Sequence, residues 1–188
     1  MYQPAITGSG VFTPDNVITN DELVAAFNAY ADLQNAQNAK AIAAGTATAI
    51  AHSSSDFILA ASGIENRYVL DKTGILNPEV MHPTLPPRPD DSPSQMAEIG
   101  VDAAQKALAA AGVDASDIDC VLCAASNHER AYPAIAVEIQ SLLGAGGFAY
   151  DMNVACSSAT FGIQAAADMV RSGSIRSALV VNPEICSA

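Results

Sequence analysis

Apolar residues recur at helical spacing in some stretches of this 188-residue chain and run without interruption in others. Helical spacing predicts an amphipathic helix, and a short apolar run bounded by turn residues predicts a buried strand. The strands or extended segments predicted in this way are residues 5–12, 64–70, 118–126, 148–154 and 178–182. The predicted helices begin at Asn20, after Gly45, and at Pro93, Pro133 and Ala159.

From Pro93 onward the predicted elements alternate regularly between helix and strand. These strands lack alternating polar residues, so we expect them to be buried on both faces, beneath helices layered over a mainly parallel sheet. The fold class is therefore α/β. Sites in such sheets gather at the carboxyl ends of strands. Residues 127–132 and Cys156 each follow a predicted strand, and we expect them to be neighbours.

Two stretches depart from this regular pattern. Residues 31–44 are rich in alanine, asparagine and glutamine; they favour a helix but offer few apolar side chains to anchor it. Residues 71–94 hold six of the ten prolines, which excludes a regular core element and predicts a long surface loop or lid. Strong predicted elements lie on both sides of this loop, so we interpret it as an insertion and not as a domain boundary.

Composition narrows the possible functions. Half of the residues (50%) are hydrophobic, which is enough for one sizeable core. A net charge of −12 argues against nucleic acids and anionic membranes as partners, because basic patches bind both. We find no apolar run of about 18 residues and no signal-peptide pattern, and we therefore expect a cytoplasmic protein. The four cysteines are expected to be reduced thiols.

Cys156 lies where a predicted strand turns abruptly into a helix rich in small residues. Ser157 and Ser158 could cap the first amides of that helix. The positive end of a helix favours negative charge, so a cysteine at this corner is a candidate nucleophile in its thiolate form. The alternative is a small buried hydrophobic residue, the commonest fate of a free cysteine.

Other candidates have competing interpretations. Cys120 and Cys123 form a C-x-x-C, but they lie inside a predicted strand, where residues three apart point to opposite faces, so we predict no metal site. His128 and Glu129 follow a strand and offer a base for the thiol, or they form a solvated loop pair. Tyr132 either walls a pocket or packs at the start of a helix.

Several segments together resemble the thiolase superfamily and, more narrowly, β-ketoacyl-acyl-carrier-protein synthase III. They are residues 153–159 (NVACSSA), 131–134 (AYPA), 140–144 (QSLLG) and 6–10 (ITGSG), with Pro14, Thr19 and Asn20. Matching segments in the family's order cover nearly the whole chain. The exceptions are residues 27–54 and 71–94, which look like a helical insertion and a proline-rich loop.

The resemblance implies a layered αβαβα fold built from two similar halves, of which residues 1–188 would form roughly the N-terminal one. It makes Cys156 the nucleophile that takes an acyl group from a coenzyme A thioester. Malonyl-acyl carrier protein then loses carbon dioxide and attacks the acyl-enzyme, a decarboxylative Claisen condensation of fatty acid synthesis. No permanently bound cofactor and no metal are implied.

The resemblance also assigns roles to other positions. Tyr132 falls where an aromatic residue reaches across a dimer into the partner's acyl pocket. Phe57 falls where many members have a tryptophan that packs on the adenine of coenzyme A, although Ala61 replaces an arginine usual nearby. In some relatives a glutamate near the site serves as base, which would give Glu129 that role. The two inserted stretches resemble members that accept medium-length acyl groups.

The family's catalytic histidine and asparagine belong to a second half that this sequence does not contain. We therefore expect a C-terminal half to complete the enzyme as a separate or cleaved chain, and the completed unit to form a homodimer. Acyl carrier protein is acidic, so its docking requires a basic patch, for which Arg67, Lys72 and Arg88 are candidates. Two alternatives remain open: a related acyltransferase or head-to-head condensing enzyme, and a non-catalytic half.

Overall fold

The computed structural model describes residues 3–89 and 91–186. The strands are β1 (Asn16–Thr19), β2 (Asn66–Val69), β3 (Cys120–Ala124), β4 (Phe148–Met152) and β5 (Ala178–Val181). The helices are α1 (Asn20–Gln37), α2 (Ala39–Ala43), α3 (Ser55–Ser62), α4 (Lys72–Leu76), α5 (Gln95–Ala111), α6 (Ile135–Leu143) and α7 (Ser158–Ser172), with a 3₁₀ turn at Ala115–Asp117.

These elements form two compact units. Residues 3–12 and 88–186 make the first unit, and residues 13–87 make the second. The division falls within the proline-rich segment, after Pro87. No helix of residues 3–89 and 91–186 is both long enough and apolar enough to cross a bilayer.

The first unit is built on a parallel sheet with strand order β4-β3-β5, which confirms the predicted α/β fold with a mainly parallel sheet. Side chains of β3 alternate between two helical layers. Val121 and Cys123 belong to a core that includes residues of α5 and α6. On the other face Gly162 of α7 packs on Ala124 and Leu122. The sheet therefore lies between two layers of helices.

Burial on both faces was predicted for all three strands, and it holds for β3 alone. Every residue of β3 is buried. In β4, Phe148 is 47% exposed and the other residues are only partly buried. The reason is position: β4 pairs with β3 on one side and lies at an edge of the described sheet.

The strand predicted over residues 5–12 is wrong, since these residues form no regular element. Two glycines instead bring this segment against α5. A Cβ on Gly8 would lie 2.3 Å from the Ala107 carbonyl oxygen, and one on Gly10 would lie 2.1 Å from that of Ala103. The absence of a Cβ at these two glycines thus allows the backbone of this segment to approach the helix closely.

Two predicted helix starts were wrong by two residues. Helix α5 begins after Ser94 and not at Pro93, because the Ser94 hydroxyl accepts a hydrogen bond from the Ala97 amide (3.1 Å) and caps the helix. Helix α6 begins at Ile135 and not at Pro133. Helices α3, α5, α6 and α7 each end at a glycine in the left-handed conformation.

In the second unit, β1 and β2 pair in antiparallel register, with Asn16 opposite Val69. Strand β1 was not predicted. Helix α1 starts with a capping box that was also missed: the Thr19 hydroxyl accepts from the Glu22 amide (3.3 Å), and the Glu22 carboxylate accepts from the Thr19 amide (3.0 Å).

Helix α1 continues through Gln37, into the stretch expected to be poorly anchored. A polar stripe anchors it. Asn28 bonds both the amide and the carbonyl of Ser53, at 2.9 and 3.2 Å, and Asn35 does the same for Ile50, at 2.8 and 2.9 Å. Between them Asp32 binds His52 Nε2 at 2.8 Å. These three side chains lie on one helix face and hold the segment before α3.

The proline-rich stretch contains a regular element after all, helix α4, in which Gly74 is buried. Asp71 caps it and also accepts from the Thr84 amide at 2.6 Å. The Thr84 hydrogen bonds are the largest cause of a lowered pKa for the Asp71 carboxyl. One carboxylate acceptor, Asp71, therefore organises a segment whose composition suggested only a loop.

Candidate active site

Cys156 lies on the corner between β4 and α7, as predicted, and its side chain is exposed. The interpretation as a small buried residue is therefore wrong. Ala155, just before it, has a positive φ of 49°, an uncommon conformation for a residue with a Cβ. Ser157 is the N-cap residue of α7, so Cys156 immediately precedes the helix. The thiol is thus presented to solvent near the positive end of a helix.

The two serines after the cysteine do not cap the helix as predicted. The Ser157 side chain makes no capping hydrogen bond. Ser158 is 3% exposed; its hydroxyl accepts from the Val154 amide (2.8 Å) and donates to the Ala155 carbonyl (2.8 Å). Ser158 thus braces the backbone that carries Cys156.

The corner lies beside the end of β3, as predicted for two strands with parallel carboxyl ends. The Asn153 amide donates to the Ser126 carbonyl (3.0 Å), and its oxygen accepts from the Ala155 amide (3.1 Å). One side chain therefore connects the loop after β3 to the cysteine corner.

Asp151, at the end of β4, is a site residue that the sequence did not reveal. Its two carboxylate oxygens accept from the Ile135 and Ala136 amides, at 2.9 and 2.8 Å, and so cap α6. His128 Nε2 lies 3.8 Å from Asp151 Oδ2 and is buried without a hydrogen-bond partner among the described residues. His128 therefore faces Asp151.

Glu129, the predicted base, also binds backbone amides. Its oxygens accept from Gln95 (3.1 Å) and Met96 (2.6 Å), the first residues of α5. This is the geometry of a helix cap. Its role as a base stays a prediction, for which a test is given below.

Glu184 fixes the beginning of the same loop. It accepts from the Ser126 amide (2.8 Å), the Ser126 hydroxyl (2.7 Å) and the Asn127 amide (3.2 Å). Burial acts to raise the pKa of Glu184, but the hydrogen bonds from Ser126 and Asn127 outweigh it and the net pKa is lowered. Carboxylates from three parts of the chain thus hold the loop between β3 and α6 in place.

The other predicted site residues are widely exposed. Tyr132 lies on the loop before α6 and is 90% exposed. Phe57 lies on α3 in the other unit and is 66% exposed.

Of the basic-patch candidates, Arg67 donates to Asn20, Lys72 pairs with Glu22, and Arg88 pairs with Glu98. These three cations are therefore engaged within the chain.

Cys120 and Cys123 are both buried, and their positions in β3 place them on opposite faces, as predicted. Burial raises the pKa of Cys120 to about 11 and that of Cys123 still higher. Ligand atoms of Cys123, His128 and Asp151 lie within 4.8 Å of one another. The Cys123 thiol stays protonated at neutral pH, and both Asp151 oxygens already accept hydrogen bonds from α6 amides. Neither group is therefore well suited to bind a metal ion.

Replacing Asp151 by alanine should destabilise the first unit by about 2–3 kcal/mol, because two charge-assisted hydrogen bonds to helix amides are lost. Thermal unfolding monitored by circular dichroism measures the effect. Asp168→Ala, an exposed carboxylate on α7, is the matched control and should change the stability little. Equal effects of both substitutions would contradict a capping role for Asp151.

The family model for 3-oxoacyl-[acyl-carrier-protein] synthase III matches residues 150–188, the segment that contains Cys156. The chain is 55% identical over 161 residues to the β-ketodecanoyl-[acyl-carrier-protein] synthase of Pseudomonas aeruginosa, covering 86% of this chain and 46% of that protein. It is 31% identical over 188 residues to the β-ketoacyl-[acyl-carrier-protein] synthase III of Granulibacter bethesdensis, covering 100% of this chain and 45% of that protein.

The solved structures agree on the fold. The crystal structure of 3-oxoacyl-[acyl-carrier-protein] synthase III from Aquifex aeolicus superposes with a TM-score of 0.67 at 21% identity, covering 94% of this chain and 43% of that one. The chain thus spans less than half the length of the curated relatives it matches. In sequence the chain is similar to part of the 3-oxoacyl-[acyl-carrier-protein] synthase III proteins, and it shares their fold over the matched length.

Proposed function

We propose that this chain carries the acyl-accepting cysteine of a β-ketoacyl-acyl-carrier-protein synthase III. The observation that carries the proposal is the exposed Cys156 on a braced corner between a parallel strand and a helix, inside the segment that the family model matches. Such a corner presents a nucleophile to a bound substrate and keeps it near the positive helix end.

In the proposed reaction the Cys156 thiolate attacks the carbonyl carbon of an acyl-CoA, and the coenzyme A thiolate leaves. The Cys156 amide, at the start of the helix, is proposed to help hold the oxyanion of the tetrahedral intermediate. Malonyl-acyl carrier protein then loses carbon dioxide, and its carbanion attacks the acyl-enzyme. A carbon–carbon bond forms, the bond to Cys156 breaks, and a β-ketoacyl product is released.

A medium-length acyl group is the proposed primer. The Pseudomonas relative is named for a β-ketodecanoyl product. Decarboxylative condensation adds two carbons to the primer, so that product corresponds to an octanoyl primer. The helical stretch 27–54 and the loop 71–94 are proposed to adapt the enzyme to this length.

The condensation step is proposed to need residues beyond this chain. The curated relatives are about twice as long as the part that matches. We propose that a C-terminal half supplies the histidine and asparagine, that the completed unit is a cytoplasmic homodimer, and that Tyr132 reaches the partner's acyl pocket. The docking partner is acyl carrier protein.

Incubation with octanoyl-CoA should add one octanoyl group to the chain, and intact mass spectrometry should measure it. Peptide mapping should place the group on Cys156, and Cys156→Ala should show no adduct. Acetyl-CoA is expected to give a smaller yield. An adduct that survives in Cys156→Ala, or its absence in the wild-type completed enzyme, would contradict the proposal.

The alternative, a head-to-head condensing enzyme with Glu129 as base, is favoured by the place of Glu129 on the loop after β3. Glu129→Gln keeps an acceptor for α5 but removes a base. If Glu129 is only a helix cap, this variant should acylate Cys156 and condense normally. Loss of condensation with acylation preserved, measured on the completed enzyme, would support the alternative.

A further inference from the structure

Ala155, the residue before Cys156, has a backbone conformation that its own side chain disfavours. Its φ is 49°, in the left-handed region, where the Cβ comes too close to the following carbonyl oxygen. Such a residue persists only where neighbouring groups hold it in place. The backbone of Ala155 also sets the direction in which the next residue leaves the corner, so the groups that hold Ala155 orient the Cys156 thiol.

Two side chains hold Ala155, one at each of its backbone polar groups. Its amide donates to Asn153 Oδ1 at 3.1 Å, and its carbonyl accepts from the Ser158 hydroxyl at 2.8 Å. Ser158 is buried and is the first residue of α7, so its position is fixed by the helix. Asn153 is exposed and precedes the helix, so its position must be fixed by another contact.

The loop after β3 supplies that contact. The Asn153 side-chain amide donates to the carbonyl of Ser126 at 3.0 Å, across 27 residues of sequence. Ser126 is held in turn by Glu184, whose carboxylate accepts from its amide at 2.8 Å and from its hydroxyl at 2.7 Å. The segments that follow β3, β4 and β5 are therefore connected to one another, and the side chain of Asn153 makes the connection to the cysteine corner.

We propose that Asn153 is a positioning residue for acyl transfer: by connecting Ala155 to the loop after β3, it orients the Cys156 thiol toward the carbonyl carbon of a bound acyl-CoA. The reaction rests on the proposed function, whereas the role of Asn153 rests on its hydrogen bonds. Because Asn153 is exposed, water can replace either bond, and its contribution to stability should be small. A displacement of the nucleophile by about 1 Å, in contrast, can slow a reaction about 100-fold.

Two substitutions separate the two hydrogen bonds of Asn153. Asn153→Ala removes both of them. Asn153→Ser loses the amide that donates to Ser126, but it keeps an uncharged hydroxyl that can accept from the Ala155 amide two residues on. The matched control is Gln164→Ala, which removes an exposed side-chain amide on α7 that donates to Asp168 of the same helix.

In the completed enzyme, Asn153→Ala should slow acylation of Cys156 at saturating octanoyl-CoA about 10-fold to 100-fold and change the half-saturating concentration less than about twofold. Asn153→Ser should regain part of the rate, and Gln164→Ala should match the wild type. Iodoacetamide is small and needs no aligned approach, so alkylation of Cys156 should stay within about threefold of the wild-type rate. Intact mass spectrometry at timed intervals measures both reactions.

Hydrogen exchange measures the hydrogen bond to Asn153 directly and does not depend on acyl chemistry. In Asn153→Ala, the Ala155 amide should exchange with deuterium about tenfold faster than in the wild type. The midpoint of thermal unfolding should barely change, because the lost bonds are exposed to water. Gln164→Ala should leave the exchange of the Ala155 amide unchanged.

Acylation of Asn153→Ala at the wild-type rate would overturn the positioning role. An equal loss of acylation and alkylation would also overturn it, because it would indicate general loosening of the corner. Faster exchange at Ala155 in Asn153→Ala, with no acylation of wild-type Cys156, would contradict only the proposed function and would support the hold of Asn153 on Ala155. Normal acylation of the wild type, with acylation and exchange unchanged in Asn153→Ala, would contradict only the present inference.

Discussion

Iodoacetamide should alkylate Cys156 on the order of a thousand times faster than Cys120 at neutral pH. The thiolate is the reacting species, and a thiol whose pKa is raised to about 11 by burial is almost wholly protonated at neutral pH. Cys123 should be slower still, because burial and the nearby Asp151 and Glu184 charges all raise its pKa. Cys156 is exposed and meets the reagent directly.

Cys186 provides the internal control, because it is also exposed but lies outside the corner between β4 and α7. If the helix end and the Ser158 brace activate Cys156, its rate should exceed that of Cys186 by about tenfold. Mass spectrometry of peptides after timed alkylation measures all four cysteines in one sample. Equal rates for Cys156 and Cys186 would show that exposure alone explains the reactivity and would favour the non-catalytic interpretation.

The sequence located the helices and strands from residue 93 onward, to within about two residues at their starts, because their signals are local. Strand β3 is one apolar run, the helix ends are glycines, and the corner at Cys156 follows directly from a strand beside a helix. The resemblance assigned the cysteine a role, and the comparisons support the family. These features depend only on residues close to one another in the chain.

The hydrogen bonds that hold the loops of the site in place could not be predicted, because they join residues far apart in sequence. Asp151 caps a helix that begins 16 residues before it, and Glu129 caps one that begins 34 residues before it. Nothing in the neighbouring sequence distinguishes these carboxylates from solvated ones. The asparagine stripe of α1 was missed for a related reason: its composition resembles that of a weakly anchored helix, and its partners lie 15 and 25 residues away.

Replacing Gly147 by alanine should destabilise the first unit by about 4 kcal/mol or more. We expect this to be the largest effect of any glycine-to-alanine substitution in the chain. Gly147 has φ +65° and lies just before β4, and a Cβ there would be 1.8 Å from the carbonyl oxygen of Asp119. That oxygen also accepts the Phe148 amide at 3.1 Å, where the pairing of β4 with β3 begins. Neither the backbone at Gly147 nor that at Asp119 can move away without breaking that pairing.

Gly144 is the matched control. It is the C-cap residue of α6 and has a similar φ of +66°, but a Cβ at this position would meet no atom within 4 Å. Gly144→Ala should therefore cost only about 1 kcal/mol, the strain of a left-handed residue with a side chain. Chemical denaturation of both variants gives the two free energies of unfolding.

Because β4 carries Asp151 and leads to Cys156, partial loosening of β4 in Gly147→Ala should also slow alkylation of Cys156 toward the rate of Cys186. Equal stability of the two variants would show that the turn can move away from Asp119, and that the position of β4 depends less on this glycine than the geometry indicates.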